Sequence, residues 1–253
     1  MRRALIGDHP AIMSLLSATG GYTDVMDWRA AGAHGRRRYD ELVLVGLPHG
    51  DSPHPLNHMA AMRGYAARRV TLVSSLDVYP NPSLPLDEDA ALDAWPNTSG
   101  GRAHIALERW AFASFDAVFV VRVPTLYGPG APGEMDALMR GHTGAVNPAA
   151  VRQWYPASRL QTDLVIARHK RFPIVNLATE PLSTARIAAR LFPGRACGPP
   201  AAPAPYSRLI TKHAGHFGGR CGYIMRAEDV LADMAALAQA LDALKPGRIA
   251  APA

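Results

Sequence analysis

Five short apolar runs constrain this chain more than any other feature. They read RALIG (Arg3 to Gly7), ELVLVG (Glu41 to Gly46), RVTLVS (Arg69 to Ser74), AVFVVRV (Ala117 to Val123) and IVNL (Ile174 to Leu177). Each is short, rich in Val, Leu and Ile, and continuous rather than alternating. Such runs suit strands buried on both faces, which is the condition of a parallel sheet covered by helices. Helical patterns separate them. Ala11 to Ala18 follows the first run, with Pro10 suited to a first helical turn. Asn57 to Ala67 precedes the third. Arg102 to Ala113 (RAHIALERWAFA) has helical periodicity, with Ile105, Ala106, Trp110 and Ala113 on one face. Thr184 to Phe192 and Ala227 to Leu244 continue the alternation. The fold class expected is α/β: a Rossmann-like doubly wound parallel sheet with a small C-terminal substrate lobe. The chain reads as one domain over residues 1–253, with residues 1–130 as its core and 131–253 as the remaining elements and the lobe.

The stretch from Val70 to Gly130 carries more specific information. It runs VTLVSSLDVYP, then TSGGRAHIALERW, then VFVVRVPTLYGPG. A strand ending SS-x-x-VY, a Pro-rich acidic loop, a helix ending ALER and a strand ending R-x-P-x-x-YGPG together resemble the extended short-chain dehydrogenase/reductase family. This is the NAD-dependent epimerase/dehydratase group, which acts largely on nucleotide sugars. The likeness is strongest over about residues 60–130 and rests on the order of several weak motifs.

That resemblance implies a Ser or Thr, a Tyr and a Lys as the working residues. The Tyr is the general acid/base, the Lys lowers its pKa and holds the nicotinamide ribose, and the Ser or Thr bonds the reacting oxygen. Ser75 matches the hydroxyl position, and Asp77 matches the acid carried by dehydratases. The Tyr position falls on Gly100 and the Lys position, one helical turn on, falls on His104. Glycine has no proton to exchange, and a neutral imidazole does not reproduce a permanent ammonium. No tyrosine lies between Tyr79 and Tyr127, and no lysine precedes Lys170.

The phosphate loop departs as well. A doubly wound fold cradles a pyrophosphate on glycines between its first strand and helix. Here the loop reads Gly7-Asp8-His9-Pro10-Ala11-Ile12-Met13, and only Gly7 survives as a vestigial cofactor contact. Pro10 has no N–H to donate. Asp8 adds a negative charge, and Met13 adds a side chain where none is wanted. The span before ELVLVG leaves little room for a full second βα unit, although Asp24 or Asp27 is placed to serve a ribose.

The expected catalytic set is therefore Ser75, Asp77 and His104. His49, His54, Arg122, Tyr127 and Trp154 are the candidates for substrate contact: the two histidines lie in a Pro- and His-rich loop facing the crevice, and the others where the family lines its substrate site. Three functions are open, the second resting on the resemblance alone. The first is a biosynthetic enzyme performing a cofactor-independent, non-redox acid/base step on a polar or sugar-like intermediate. The second is an NAD(P)-dependent nucleotide-sugar epimerase, dehydratase or reductase with relocated contacts. The third is a non-catalytic partner protein.

Bulk properties narrow the partners. Net charge is +6, but the one dense basic run, Arg36 to Arg38, is short and has no interleaved aromatics, so nucleic acid is not expected. A small, anionic substrate suits the charge better. No apolar run approaches the ~20 residues of a membrane span. Cys197 and Cys221 have no metal spacing, and no metal is expected. A cytoplasmic protein, compatible with a homodimer, completes the expectation.

Overall fold

The computed structural model describes all residues except 34, 36, 47–54, 94–95, 130–137, 139–141 and 244–253. Its centre is a six-stranded sheet, parallel throughout, in the order β11-β7-β6-β4-β1-β2. The strands are β1 (Arg3–Gly7), β2 (Asp24–Met26), β4 (Glu41–Val45), β6 (Val70–Ser75), β7 (Val118–Val123) and β11 (Ile174–Asn176). All five apolar runs thus lie in one sheet. The chain steps from β1 outward to β2, then returns to place β4 on the other side of β1. That reversal is the switch point at which open α/β sheets bind ligands, beyond the carboxyl ends of the strands.

Alternate residues of each strand feed two apolar layers. Leu5, Val43, Val45, Val73, Val121 and Val175 pack on one face with Ile12 and Leu16 of α1 (Pro10–Gly20) and with Leu160 and Leu164 of α5 (Leu160–His169). Ala4, Ile6, Leu42, Leu44, Leu72 and Val120 pack on the other. There they meet α2 (Trp28–Ala33), α3 (Pro55–Ala61) and α4 (Ser99–Ser114). Burying each such side chain contributes about 1.5–3 kcal/mol, which is why the strands need no polar face.

Three expectations change. A second βα unit does fit between β1 and β4: β2 and α2 are simply short. The helix expected over Asn57 to Ala67 stops at Ala61, because Gly64 (φ 87°) turns the chain into β5 (Tyr65–Ala67), which pairs with β3 (Arg37–Tyr39). The buried face of α4 is also rotated from the one expected. It carries Gly101, His104, Ile105, Glu108 and Ala111, whereas Ala106 and Ala113 are exposed. Two polar residues fill a face that hydrophobicity alone assigned elsewhere.

The C-terminal lobe packs a third apolar cluster, including Tyr127, Trp154, Leu182, Ile187, Val230 and Met234. It contains β8 (Thr125–Tyr127) beside β10 (Trp154–Pro156), β9 (Val151–Arg152) beside β12 (Leu182–Ser183), and the helices α6 (Thr184–Leu191) and α7 (Ala227–Ala243). The segment expected as a helix over Gly133 to Arg140 falls almost wholly outside the described residues. No helix among the described residues is long and apolar enough to cross a membrane.

Candidate active site

The carboxyl end of β6 positions the candidate residues. The chain leaves the sheet at Ser75 and makes a short 3-10 turn, Leu76–Val78. The Ser75 hydroxyl accepts from the Asp77 backbone N–H at 3.1 Å, so this buried serine caps the turn. The turn holds the Asp77 side chain out of the protein. Its carboxylate stands exposed in the wall of a cavity of about 160 Å³. Thr125, Arg152, Tyr206 and Ser207 supply further polar groups to that wall, with Pro82, Pro124, Pro205 and Leu209 between them. The cavity lies between the sheet's carboxyl edge and the lobe, where Tyr206 is 47% exposed.

Asn97 fixes the turn against α4. Its side-chain amide donates to the carbonyls of Val78 (2.7 Å) and Asp77 (3.3 Å), while its carbonyl accepts from Thr98 N–H at 2.7 Å. Thr98 then caps α4 by accepting from Gly101 N–H at 3.0 Å. Gly101 is tight for a direct reason. A Cβ there would lie 2.4 Å from both the Asp77 carbonyl oxygen and Asn97 Oδ1. At Gly100, the position that the resemblance assigns to tyrosine, the nearest atom to such a Cβ is 4.0 Å away.

His104 is buried, at 4% exposure, and its Nδ1 has no hydrogen-bond partner among the described residues. Burial pushes its pKa down, opposed in part by the charges of Asp77 and Glu108. It is therefore held toward the neutral form, unlike the lysine that the resemblance assigns to this position.

Beneath the turn runs a polar chain that sequence reasoning did not assemble. Glu108 of α4 accepts from Ser74 Oγ (2.7 Å), from Arg122 Nε (3.0 Å) and from Arg122 Nη2 (2.7 Å). Arg122 Nη1 donates to the Tyr79 hydroxyl at 2.9 Å, and Asn176 Nδ2 donates to the same oxygen at 2.7 Å. Burial raises the Tyr79 pKa to about 12. Glu108 and Arg122 both lie in the motif stretches quoted above. Their pairing is not visible there because it depends on α4 folding back to pack over β6 and β7.

This chain corrects one expected substrate contact, and two others are corrected by packing. Arg122 is buried in its ion pair with Glu108. Tyr127 is buried and donates from its hydroxyl to Asp233 Oδ2 at 2.7 Å. Trp154 lies wholly inside the lobe core. None of the three lines the cavity. Among the residues that do, Arg152 comes from a stretch whose mix of basic and aromatic residues suits an anionic or ring-shaped ligand, whereas Tyr206 comes from a loop with no motif to mark it. His49 and His54 lie outside the described residues. Among the described residues, no group of three or more His, Cys, Asp or Glu is placed to hold a metal.

The other half of the crevice begins at Gly7. Gly7 lies in register with Val45, and a Cβ on it would come within 2.6 Å of the Val45 Cβ. His9 caps α1, accepting from Ile12 N–H at 3.5 Å through Nδ1, and Pro10 follows it. Asp27 lies at the carboxyl end of β2, where a ribose acid is expected, but its carboxylate accepts from Ala30 N–H at 2.6 Å. With Gly100 and His104 in place of tyrosine and lysine, these residues do not fit a nicotinamide dinucleotide held in the ordinary way.

The sheet order and the lobe decide what the chain resembles in three dimensions. Solved structures match it over nearly its whole length. MoeE5 in complex with UDP-glucuronic acid and NAD has a TM-score of 0.70 and 16% identity, covering 96% of this chain and 99% of that one. A UDP-glucuronic acid 4-epimerase from Bacillus cereus has a TM-score of 0.66 and 11% identity, covering 95% and 100%. A dTDP-4-dehydrorhamnose reductase from Clostridium acetobutylicum has a TM-score of 0.64 and 15% identity, covering 95% and 99%. The fold is that of the short-chain dehydrogenase/reductase enzymes. No protein-family model and no curated protein sequence matches the chain.

Proposed function

We propose that this chain is an enzyme acting on a polar, nucleotide-sugar-like substrate in the cavity beside Asp77. One observation carries the reading. An exposed carboxylate stands at the carboxyl end of a central strand, in the wall of a cavity that the C-terminal lobe covers. Asp77 suits proton transfer at a substrate carbon or hydroxyl, the step shared by isomerisation and dehydration. Arg152, Tyr206 and Thr125 are placed to orient the substrate. Ser75 acts by holding the turn, since its oxygen already accepts from the Asp77 N–H.

A nicotinamide-dependent epimerase, dehydratase or reductase is the reading that the similar folds favour over a cofactor-free one. Several of those proteins are complexed with NAD or NADPH. In this chain such chemistry requires contacts other than the familiar ones, because Gly100 and His104 cannot serve as the tyrosine and lysine. Turnover of UDP- and dTDP-sugars, followed by anion-exchange chromatography with and without added NAD(P), separates the two. Product formed without any nicotinamide supports acid/base chemistry at Asp77. Product formed only with it supports the redox reading. Failure of every nucleotide sugar to bind or react would overturn the shared proposal.

A further inference from the structure

The amino-terminal half of the crevice is bordered by side chains that bond to the chain's own backbone. We infer that Asp8, His9 and Met13 form an internal plug in the place of a dinucleotide's pyrophosphate, so that the native protein binds no nicotinamide dinucleotide at this switch point. Three contacts carry the inference, and they come from different atoms.

Asp8 lies in the loop between β1 and α1. Its Oδ1 accepts from the backbone N–H of Trp28, at 3.3 Å, where α2 begins. One carboxylate therefore ties the β1–α1 loop to the β2–α2 loop. These loops flank a dinucleotide in a doubly wound fold, and a carboxylate accepting a backbone N–H is the chain's own substitute for a phosphate oxygen. An incoming pyrophosphate would meet this negative charge and the hydrogen bond that it makes.

His9 is buried, and its imidazole takes the Ile12 N–H, one of the first-turn donors that helices offer to anions. Pro10 removes another. Met13 lies one turn into α1 and packs against the apolar layer that contains Val45. Its sulfur is 3.2 Å from the point where a Cβ on Gly7 would stand. The thioether thus stands beside Gly7, where Val45 of the neighbouring strand already leaves no room, its Cβ lying 2.6 Å from the same point.

The inference concerns the cofactor half of the proposed function and does not rest on the substrate reading. Its test needs no substrate. Native protein is titrated calorimetrically with NAD⁺, NADH, NADP⁺ and NADPH, alongside the double variant Asp8→Ala, Met13→Gly. Circular dichroism and melting establish that the variant is folded; if it is not, Met13→Ala alone takes its place. The native chain is expected to show no saturable binding at about 1 mM ligand, and the opened variant to bind at least about tenfold more tightly. Saturable binding of any of the four by native protein overturns the inference. So does a folded, opened variant that remains blind to all four. Binding of a UDP-sugar by native protein is measured separately, so a failed plug and a failed substrate reading give different results.

Discussion

The two halves of the crevice occupy equivalent places, at the carboxyl ends of parallel strands, and are finished in opposite ways. Around Gly7, side chains turn inward: His9 caps its own helix, Asp8 binds the start of α2, and Met13 lies beside the glycine. Around Asp77, the backbone is drawn in and the side chain is turned out. Ser75 and Asn97 hold the turn by its N–H and carbonyl groups, which leaves the Asp77 carboxylate exposed in an open cavity. One fold thus supports a closed and an open site side by side. The difference lies in where a few polar groups find their partners, which is why function is argued from a site and not from a fold.

The sharpest way to break this contrast is Asp77→Asn. Turnover of any accepted substrate should fall by about 10²- to 10⁴-fold, with the melting temperature nearly unchanged because the group is exposed. Equal turnover would remove Asp77 from the chemistry. Glu108→Ala tests the support beneath it. Breaking a buried ion pair leaves the Arg122 charge uncompensated, so urea unfolding should show a loss of about 3–5 kcal/mol.

Adjacent glycines sharpen the same boundary. Gly101→Ala forces a methyl into the Asp77 carbonyl and Asn97, and should cost about 1–3 kcal/mol of stability. Gly100→Ala meets open space and should instead stabilise α4 by up to about 1 kcal/mol. Equal effects would show that the turn and the helix are not in the tight contact described.

The smallest effect concerns pH. Burial lowers the pKa of His104 in the folded chain, and it lowers that of His213 in the same direction. The unfolded chain, whose imidazoles titrate near about 6.5, therefore binds the proton more readily. Stability from these groups is complete above about pH 6.5 and is lost as pH falls below it. Melting temperature should drop on acidification through that range, and His104→Gln should flatten the slope in part. A steeper fall in the variant would contradict the burial of His104.

Much of this architecture was legible in the chain itself. The five apolar runs determine a covered parallel sheet, because a continuous run of Val, Leu and Ile has no face to give to water. The motifs between Val70 and Gly130 place Ser75 at the end of a strand, Asp77 in the turn after it, and Gly100 and His104 on a helix, as the structure has them. Only the tertiary structure decides which side chains face a ligand. Arg122, Tyr127 and Trp154 look like binding residues in one dimension, yet they are consumed by Glu108, Asp233 and the lobe core. Tyr206 carries no motif, yet it reaches the cavity, as does Arg152 from its basic and aromatic stretch. For Arg122 and Tyr127 the physical reason is the same: their hydrogen bonds are spent on Glu108 and Asp233, partners that the fold brings to them, whereas Trp154 is enclosed by the apolar core of the lobe.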